Sequence, residues 1–97
     1  MNMIPMPLAS AEIFAARALG WVAGEPDSMA GFLAMTGAEI DDLKARAGDP
    51  EFLGFVLDFL LSDEATLLAC AEALGAPPEM FQRARAGLPG GDLPHWT

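Results

Sequence analysis

Few side chains of this sequence combine in a way that supports catalysis. The only cysteine is Cys70 and the only histidine is His95, so a zinc ligand set cannot be assembled from these two distant residues. A reactive thiolate needs a nearby cation or a helix N-terminus, and no basic residue lies within two helical turns of Cys70 in the sequence. We therefore expect Cys70 to be buried and unreactive.

Motifs of the common active sites are also absent. The acidic residues lack the Asp-x-Asp-x-Asp-Gly spacing of a calcium loop, and there is no Gly-x-Ser-x-Gly elbow, phosphate-binding loop or dinucleotide fingerprint. The sequence therefore predicts a protein that is not an enzyme and that uses no cofactor or metal.

Asp58 is the one charged residue inside the most apolar stretch of the chain. A carboxylate made basic by burial could be functional, but buried charges usually have partners. Arg17 interrupts the packing stripe of the first predicted helix, beside Phe14 and Ala18. We therefore predict a structural ion pair between Asp58 and Arg17.

Basic residues are few and lie near the ends of two predicted helices. Lys44, Arg46, Arg83 and Arg85 are four of the five, and their positions complement the negative C-terminal ends of those helices. Arg83 and Arg85 are also candidate interaction residues, because a small anion site there is the alternative interpretation.

The C-terminal tail, residues 88–97, carries the other candidate interaction residues, Leu93, His95 and Trp96. Gly90 and Gly91 precede them, and the tail has no helical period of its own. Soluble monomers seldom expose a free tryptophan. We predict that Trp96 packs onto the rest of the protein, and the alternative is a tail presented to a partner.

The helix predicted over Asp49–Ser62 is the element around which the others must pack. Asp49 is a typical N-cap and Pro50 suits the first helical position. The turns that follow are apolar on nearly every side, so other helices must cover them. We expect five of these residues to be nearly inaccessible to solvent: Phe52, Val56, Leu57, Phe59 and Leu60.

Five further helices are predicted from apolar spacing and from Gly and Pro boundaries. The first runs from an N-cap at Ser10 to Ala23, and the second follows a turn at residues 25–28 and ends at Thr36. The third runs from about Glu39 to Ala47, burying Ile40 and Leu43. The fifth begins near Asp63, and the sixth runs from Pro77 to Gly87. The residues of the fifth and sixth helices that are expected to face the core are Leu67, Leu68, Ala71, Leu74, Met80, Phe81 and Ala84.

The sequence thus predicts an all-α, compact bundle of about six short helices around a central apolar helix. It has a lead at 1–9, a helical domain at 10–87 and a tail at 88–97. A shift of 38 residues places Phe14 on Phe52 and Gly37 on Gly75, which favours two three-helix repeats. Alanine- and glycine-rich helices also resemble each other by chance, so both explanations stay open.

Composition limits the class of protein. Ninety-seven residues with 53% apolar content suit one domain with its own core. The net charge of −9 repels nucleic acid and anionic lipid. The longest apolar run is too short for a membrane span, and the N-terminus has no signal-peptide pattern. We expect a soluble cytoplasmic domain.

A helix-turn-helix is the main alternative, because Ala71, Gly75 and Phe81 fit the motif's spacing of small residue, turn glycine and apolar residue. The second helix of that motif would begin at Pro77 and Pro78 and offer few basic residues to DNA. We therefore rank a DNA-binding regulator below a protein-interaction module.

Nearly the whole chain resembles a known family. The segments concerned are Ala18–Gly24, Phe32–Gly37, Arg46–Pro50, Val56–Leu61, Pro89–Gly91 and His95–Thr97. They are similar to domain-of-unknown-function family 3572, which comprises short bacterial proteins. The resemblance implies no activity and transfers no functional residue. Our functional hypothesis is a non-enzymatic interaction module that binds another protein, or itself, through an apolar groove or the Trp96 tail.

Overall fold

A computed structural model describes residues 4–90 of the chain. This part contains six α-helices and no β-strand, which confirms the predicted all-α bundle. The helices are α1 Leu8–Ala23, α2 Pro26–Thr36, α3 Ile40–Arg46, α4 Pro50–Leu61, α5 Glu64–Leu74 and α6 Glu79–Ala86.

Helix α4 begins as predicted, with Asp49 as its N-cap and Pro50 as its first residue. The carboxylate of Asp49 accepts a hydrogen bond of 3.1 Å from the amide of Glu51, and Pro50 occupies the first position of the helix. One of the free amides of the first turn is thereby satisfied, and proline has no amide to satisfy.

The start of α1 differs from the prediction, which placed an N-cap at Ser10. The helix begins at Leu8, Pro7 precedes it, and no side chain caps it. The carbonyl of Pro7 accepts from the amide of Ala11 at 2.9 Å, and the amide of Met6 donates to the carbonyl of Arg83 at 3.0 Å. Contacts with α6 and the geometry of Pro7 therefore set the first turn, and Ser10 lies inside it.

Two helices share the centre of the bundle. Both α1 and α4 pack against α2, α5 and α6 as well as against each other. On α4, the fully buried large side chains include Phe52, Val56, Leu57 and Leu60, as expected. The same expectation was wrong for Phe59, which is half-buried because it lies at the edge facing α2, with its ring on Phe32.

Two other residues predicted to point inward are exposed. Ile40 opens α3 and is 65% exposed, whereas Leu43 on the same helix is buried. On α5, Leu68 is 48% exposed, and the neighbouring Cys70 and Ala71 are buried instead. Short helices touch the core along a narrow line, so a periodic pattern identifies more apolar residues than the core can cover.

The bounds of one helix pair, α2 and α5, follow the 38-residue period at both ends. Helix α2 covers residues 26–36 and α5 covers 64–74, so a shift of 38 superimposes both ends. Each of these two helices ends at a glycine in the left-handed conformation, Gly37 with φ 74° and Gly75 with φ 66°. Such a C-cap favours glycine because it has no Cβ.

Candidate functional site

An open apolar groove of about 270 Å³ lies between residues 4–7, α1 and α6, and we call it the α1–α6 groove. Its volume lies just below the range of about 300–1,000 Å³ that is typical of ligand pockets. It is lined by Met6, Ser10, Ile13, Phe14, Arg17 and Met80.

Hydrogen bonds from Arg83 and to Arg83 hold residues 4–7, on one side of the groove, in place. The guanidinium Nε of Arg83 donates to the carbonyl of Ile4 at 2.9 Å, next to the Met6–Arg83 backbone hydrogen bond. The carbonyl oxygen of Met6 also approaches Gly87 so closely that a Cβ on Gly87 would clash with it. Residues 4–7 are thus fixed against the end of α6.

Four of the six residues that line the groove are apolar. Phe14 is 5% exposed, and its ring meets Phe81 edge-to-face, with the centroids 4.9 Å apart. Ile13 is 66% exposed at the rim, and Met6 and Met80 are half-buried. Methionine side chains adapt readily to the shape of a partner. The arrangement suits the binding of an apolar side chain.

Arg17 is the charged residue of the groove, and its position corrects a prediction. Its guanidinium Nη2 donates to the carbonyl of Leu74 at 3.1 Å. The positive charge therefore complements the C-terminal end of α5. Arg17 does not form the predicted ion pair with Asp58.

Asp58 is paired with Arg85 instead. Nε of Arg85 lies 2.6 Å from Oδ1 of Asp58, and Nη2 lies 3.2 Å from Oδ2. The guanidinium lies over Gly54, one turn before Asp58, where an added Cβ would be 3.0 Å from Nη1. Nη1 also donates to the carbonyl of Pro89 at 3.0 Å. The pair joins α4, α6 and the segment after α6.

The structure describes two of the five residues that were predicted as interaction candidates. Arg83 and Arg85 are both hydrogen-bonded within the fold, to Ile4 and to Asp58 and Pro89 respectively. The other candidates, Leu93, His95 and Trp96, lie outside the described residues. Met80, which was expected to face the core, lines the groove. Met6 and Ile13 also line it and were not predicted, because their only signal in the sequence is an apolar side chain near the start of α1 or beside Phe14.

Cys70 is buried within α5, as expected. Its side chain is 0% exposed, and desolvation by burial raises the pKa of the thiol from 9.0 to about 11. The thiol is therefore protonated and poorly reactive at neutral pH. Among residues 4–90, no three His, Cys, Asp or Glu side chains are grouped closely enough to bind a metal ion.

The described part of the chain is a small domain of six α-helices with an apolar groove between α1 and α6. The family model described as "Protein of unknown function (DUF3572)" matches residues 8–91, and the chain is therefore a member of this family. Searches of curated proteins and of solved structures found no match. No helix within the described part has both the length and the apolar character needed to cross a bilayer.

Proposed function

We propose that this protein is a non-enzymatic protein-interaction module whose α1–α6 groove binds apolar side chains of another protein. The observation that carries the proposal is Ile13, a large aliphatic residue that is 66% exposed beside the buried ring of Phe14. Apolar rims of this kind around a concave surface are typical of interaction sites.

The chemistry of the lining supports binding over catalysis. Among residues 4–90, Arg17 is the one titratable side chain that lines the groove, and its guanidinium is hydrogen-bonded to the carbonyl of Leu74. Covering Ile13 would remove apolar surface from water, which favours association by about 1–2 kcal/mol for a side chain of this size and exposure. Met6 and Met80 can adjust around the incoming group.

Affinity capture with paired variants tests the proposal. The full chain, Ile13→Asn and Leu68→Asn would each be immobilised and exposed to native lysate, and retained proteins identified by mass spectrometry. Leu68 is a matched control because it is also a partly exposed aliphatic residue on a helix, but does not line the groove. A protein that is retained by the wild type and by Leu68→Asn, but not by Ile13→Asn, would support the groove as the binding site.

A DNA-binding regulator is the second candidate. Ala71 and Phe81 are buried on either side of the left-handed Gly75, which agrees with the spacing of a helix-turn-helix. However, Arg83 and Arg85 are hydrogen-bonded within the fold, and the net charge is −9. Fluorescence anisotropy with a labelled DNA duplex at low salt distinguishes the candidates, because electrostatic binding to DNA is strongest there. We expect no change in anisotropy.

A further inference from the structure

Phe55 interrupts the exposed face of the central helix α4. The exposed residues of this helix are Glu51, Phe55 and Asp58, and Ser62 continues the same face directly after the helix. Phe55 is 42% exposed, and it is the one aromatic side chain among the large apolar residues that are exposed within residues 4–90. Its neighbours on this face are polar, so the packing of α4 gives no reason for an aromatic residue there.

The described chain ends beside this phenylalanine. The carbonyl of Pro89 accepts a hydrogen bond of 3.0 Å from Nη1 of Arg85. A Cβ added to Gly90, or to Gly54 on α4, would in each case lie 3.5 Å from Nη2 of the same arginine. Gly90 is therefore separated by one guanidinium group from the residue that precedes Phe55, and the segment that follows it starts next to the exposed face of α4.

The segment after Gly90 has the composition and the length to cover Phe55. It contains Leu93, Pro94 and Trp96 and no lysine or arginine. An extended chain advances about 3.3 Å per residue, so Leu93 can reach about 10 Å and Trp96 about 20 Å from Gly90. Both side chains can therefore contact Phe55 without any movement of the helices.

We propose that residues 91–97 fold back over α4 and cover Phe55, with the ring of Trp96 against that of Phe55. Aromatic rings attract each other in stacked or edge-to-face pairs, and this contact would remove apolar surface of both residues from water. A second copy of the chain is disfavoured as the source of the segment, because two molecules that each carry −9 repel each other. A segment tethered beside its site also has a high effective concentration there. The proposal is independent of the α1–α6 groove.

Tryptophan emission of the full chain tests the contact. In a Trp21→Phe background Trp96 is the remaining tryptophan, and its emission should be blue-shifted and weakly quenched by acrylamide. Phe55→Gln should shift this emission to longer wavelength and increase the quenching. Leu68→Gln is the matched control, because Leu68 is 48% exposed on α5, and it should change neither property. Ile13→Gln in the α1–α6 groove should also change neither. Circular dichroism confirms that each variant is folded.

A double-mutant cycle provides a second measurement of the same contact. Phe55→Gln and Trp96→Gln should each lower the midpoint of thermal unfolding, and the double variant should lose less than the sum of the two losses. The cycle of Leu68→Gln with Trp96→Gln is the control and should be additive, because the proposed contact does not involve Leu68.

Several outcomes would overturn the proposal. Red, fully quenchable emission of Trp96 before any change at Phe55 would show that the segment is not docked. Blue-shifted emission that survives Phe55→Gln would place Trp96 on another surface, and a red shift with Ile13→Gln instead would identify that surface as the groove. A red shift on dilution would show that Trp96 docks on a second molecule. Additivity of the Phe55–Trp96 cycle would exclude a direct contact between the two rings.

Discussion

Arg85 binds Asp58 through two hydrogen bonds, although 27 residues separate them in the sequence. The two side chains come from the helices α6 and α4, and their exposed fractions are 15% and 46%. A paired guanidinium and carboxylate in this geometry form charge-assisted hydrogen bonds with a fixed direction. The pair therefore links α6 to α4 at a defined point of their contact.

A double-mutant cycle should detect this pair. We expect Asp58→Ala and Arg85→Ala each to lower the free energy of unfolding, and the double variant to lose about 1 kcal/mol less than the sum, since the pair is partly solvated. Urea denaturation supplies the measurement. The cycle of Asp58→Ala with Arg17→Ala is the control and should be additive. Additivity in both cycles would contradict a stabilising role for the pair.

The effect of a substitution at Gly54 on stability should depend on Arg85, whose guanidinium lies against this glycine. Replacing an exposed helical glycine by alanine usually stabilises a protein by up to about 1 kcal/mol, and we expect this for Gly20→Ala, where a Cβ meets nothing within 4 Å. Gly54→Ala should gain less, because its Cβ would displace the guanidinium from Asp58. Thermal unfolding checks the difference. In an Arg85→Ala background the two substitutions should become similar, and a persistent difference would point to another cause.

Differences in burial predict different losses of stability when two phenylalanines of α4 are truncated to alanine. Phe52 is 0% exposed, and its truncation to alanine should cost about 3–5 kcal/mol. Phe59 is half-buried, with its ring 5.6 Å from that of Phe32, so Phe59→Ala should cost about 2 kcal/mol, less than full burial would imply. Chemical denaturation of both variants provides the comparison. An equal or greater loss from Phe59→Ala would contradict a ranking of the two side chains by burial, since both rings contact Phe32 of α2.

Cys70 should make stability depend on pH at the alkaline end. Its pKa is about 11 in the folded protein against 9.0 for an ordinary thiol, so between these values the unfolded chain has released a proton that the folded chain retains. Stability is therefore unaffected by this group below pH 9 and falls as the pH rises toward 11. Thermal unfolding across this range should show a steeper loss for the wild type than for Cys70→Ala. Identical slopes would exclude Cys70 as the cause.

The prediction that Trp96 packs onto the bundle concerns residues outside the described range and can be tested directly. Deleting residues 93–97 should lower the free energy of unfolding, because a docked tryptophan buries a large apolar surface. Its emission should be blue-shifted in a Trp21→Phe background, which removes the half-buried second tryptophan. Red, fully quenchable emission together with unchanged stability after truncation would reject the docked tail.

Local features of the fold were predictable from the sequence, and partners distant in the sequence were not. Asp49–Pro50 and the glycines at 37 and 75 act within their own turns, so residue type alone identified the helix ends. The partner of Asp58 depends on how α6 packs on α4, which no local pattern reveals. The groove likewise depends on residues 4–7 lying against α6, a contact made by backbone atoms of Met6 and Arg83.

The central position of α1 has a consequence for synthesis on the ribosome. About sixty residues separate the end of α1 from the end of α6, one of the helices that cover it. Synthesis proceeds at roughly 5–20 residues per second. The apolar side of α1, with Phe14, Ala18 and Val22, is therefore synthesised several seconds before α6 is complete. During that interval the nascent chain exposes a surface that chaperones recognise, so the yield of folded protein should depend on the rate of translation.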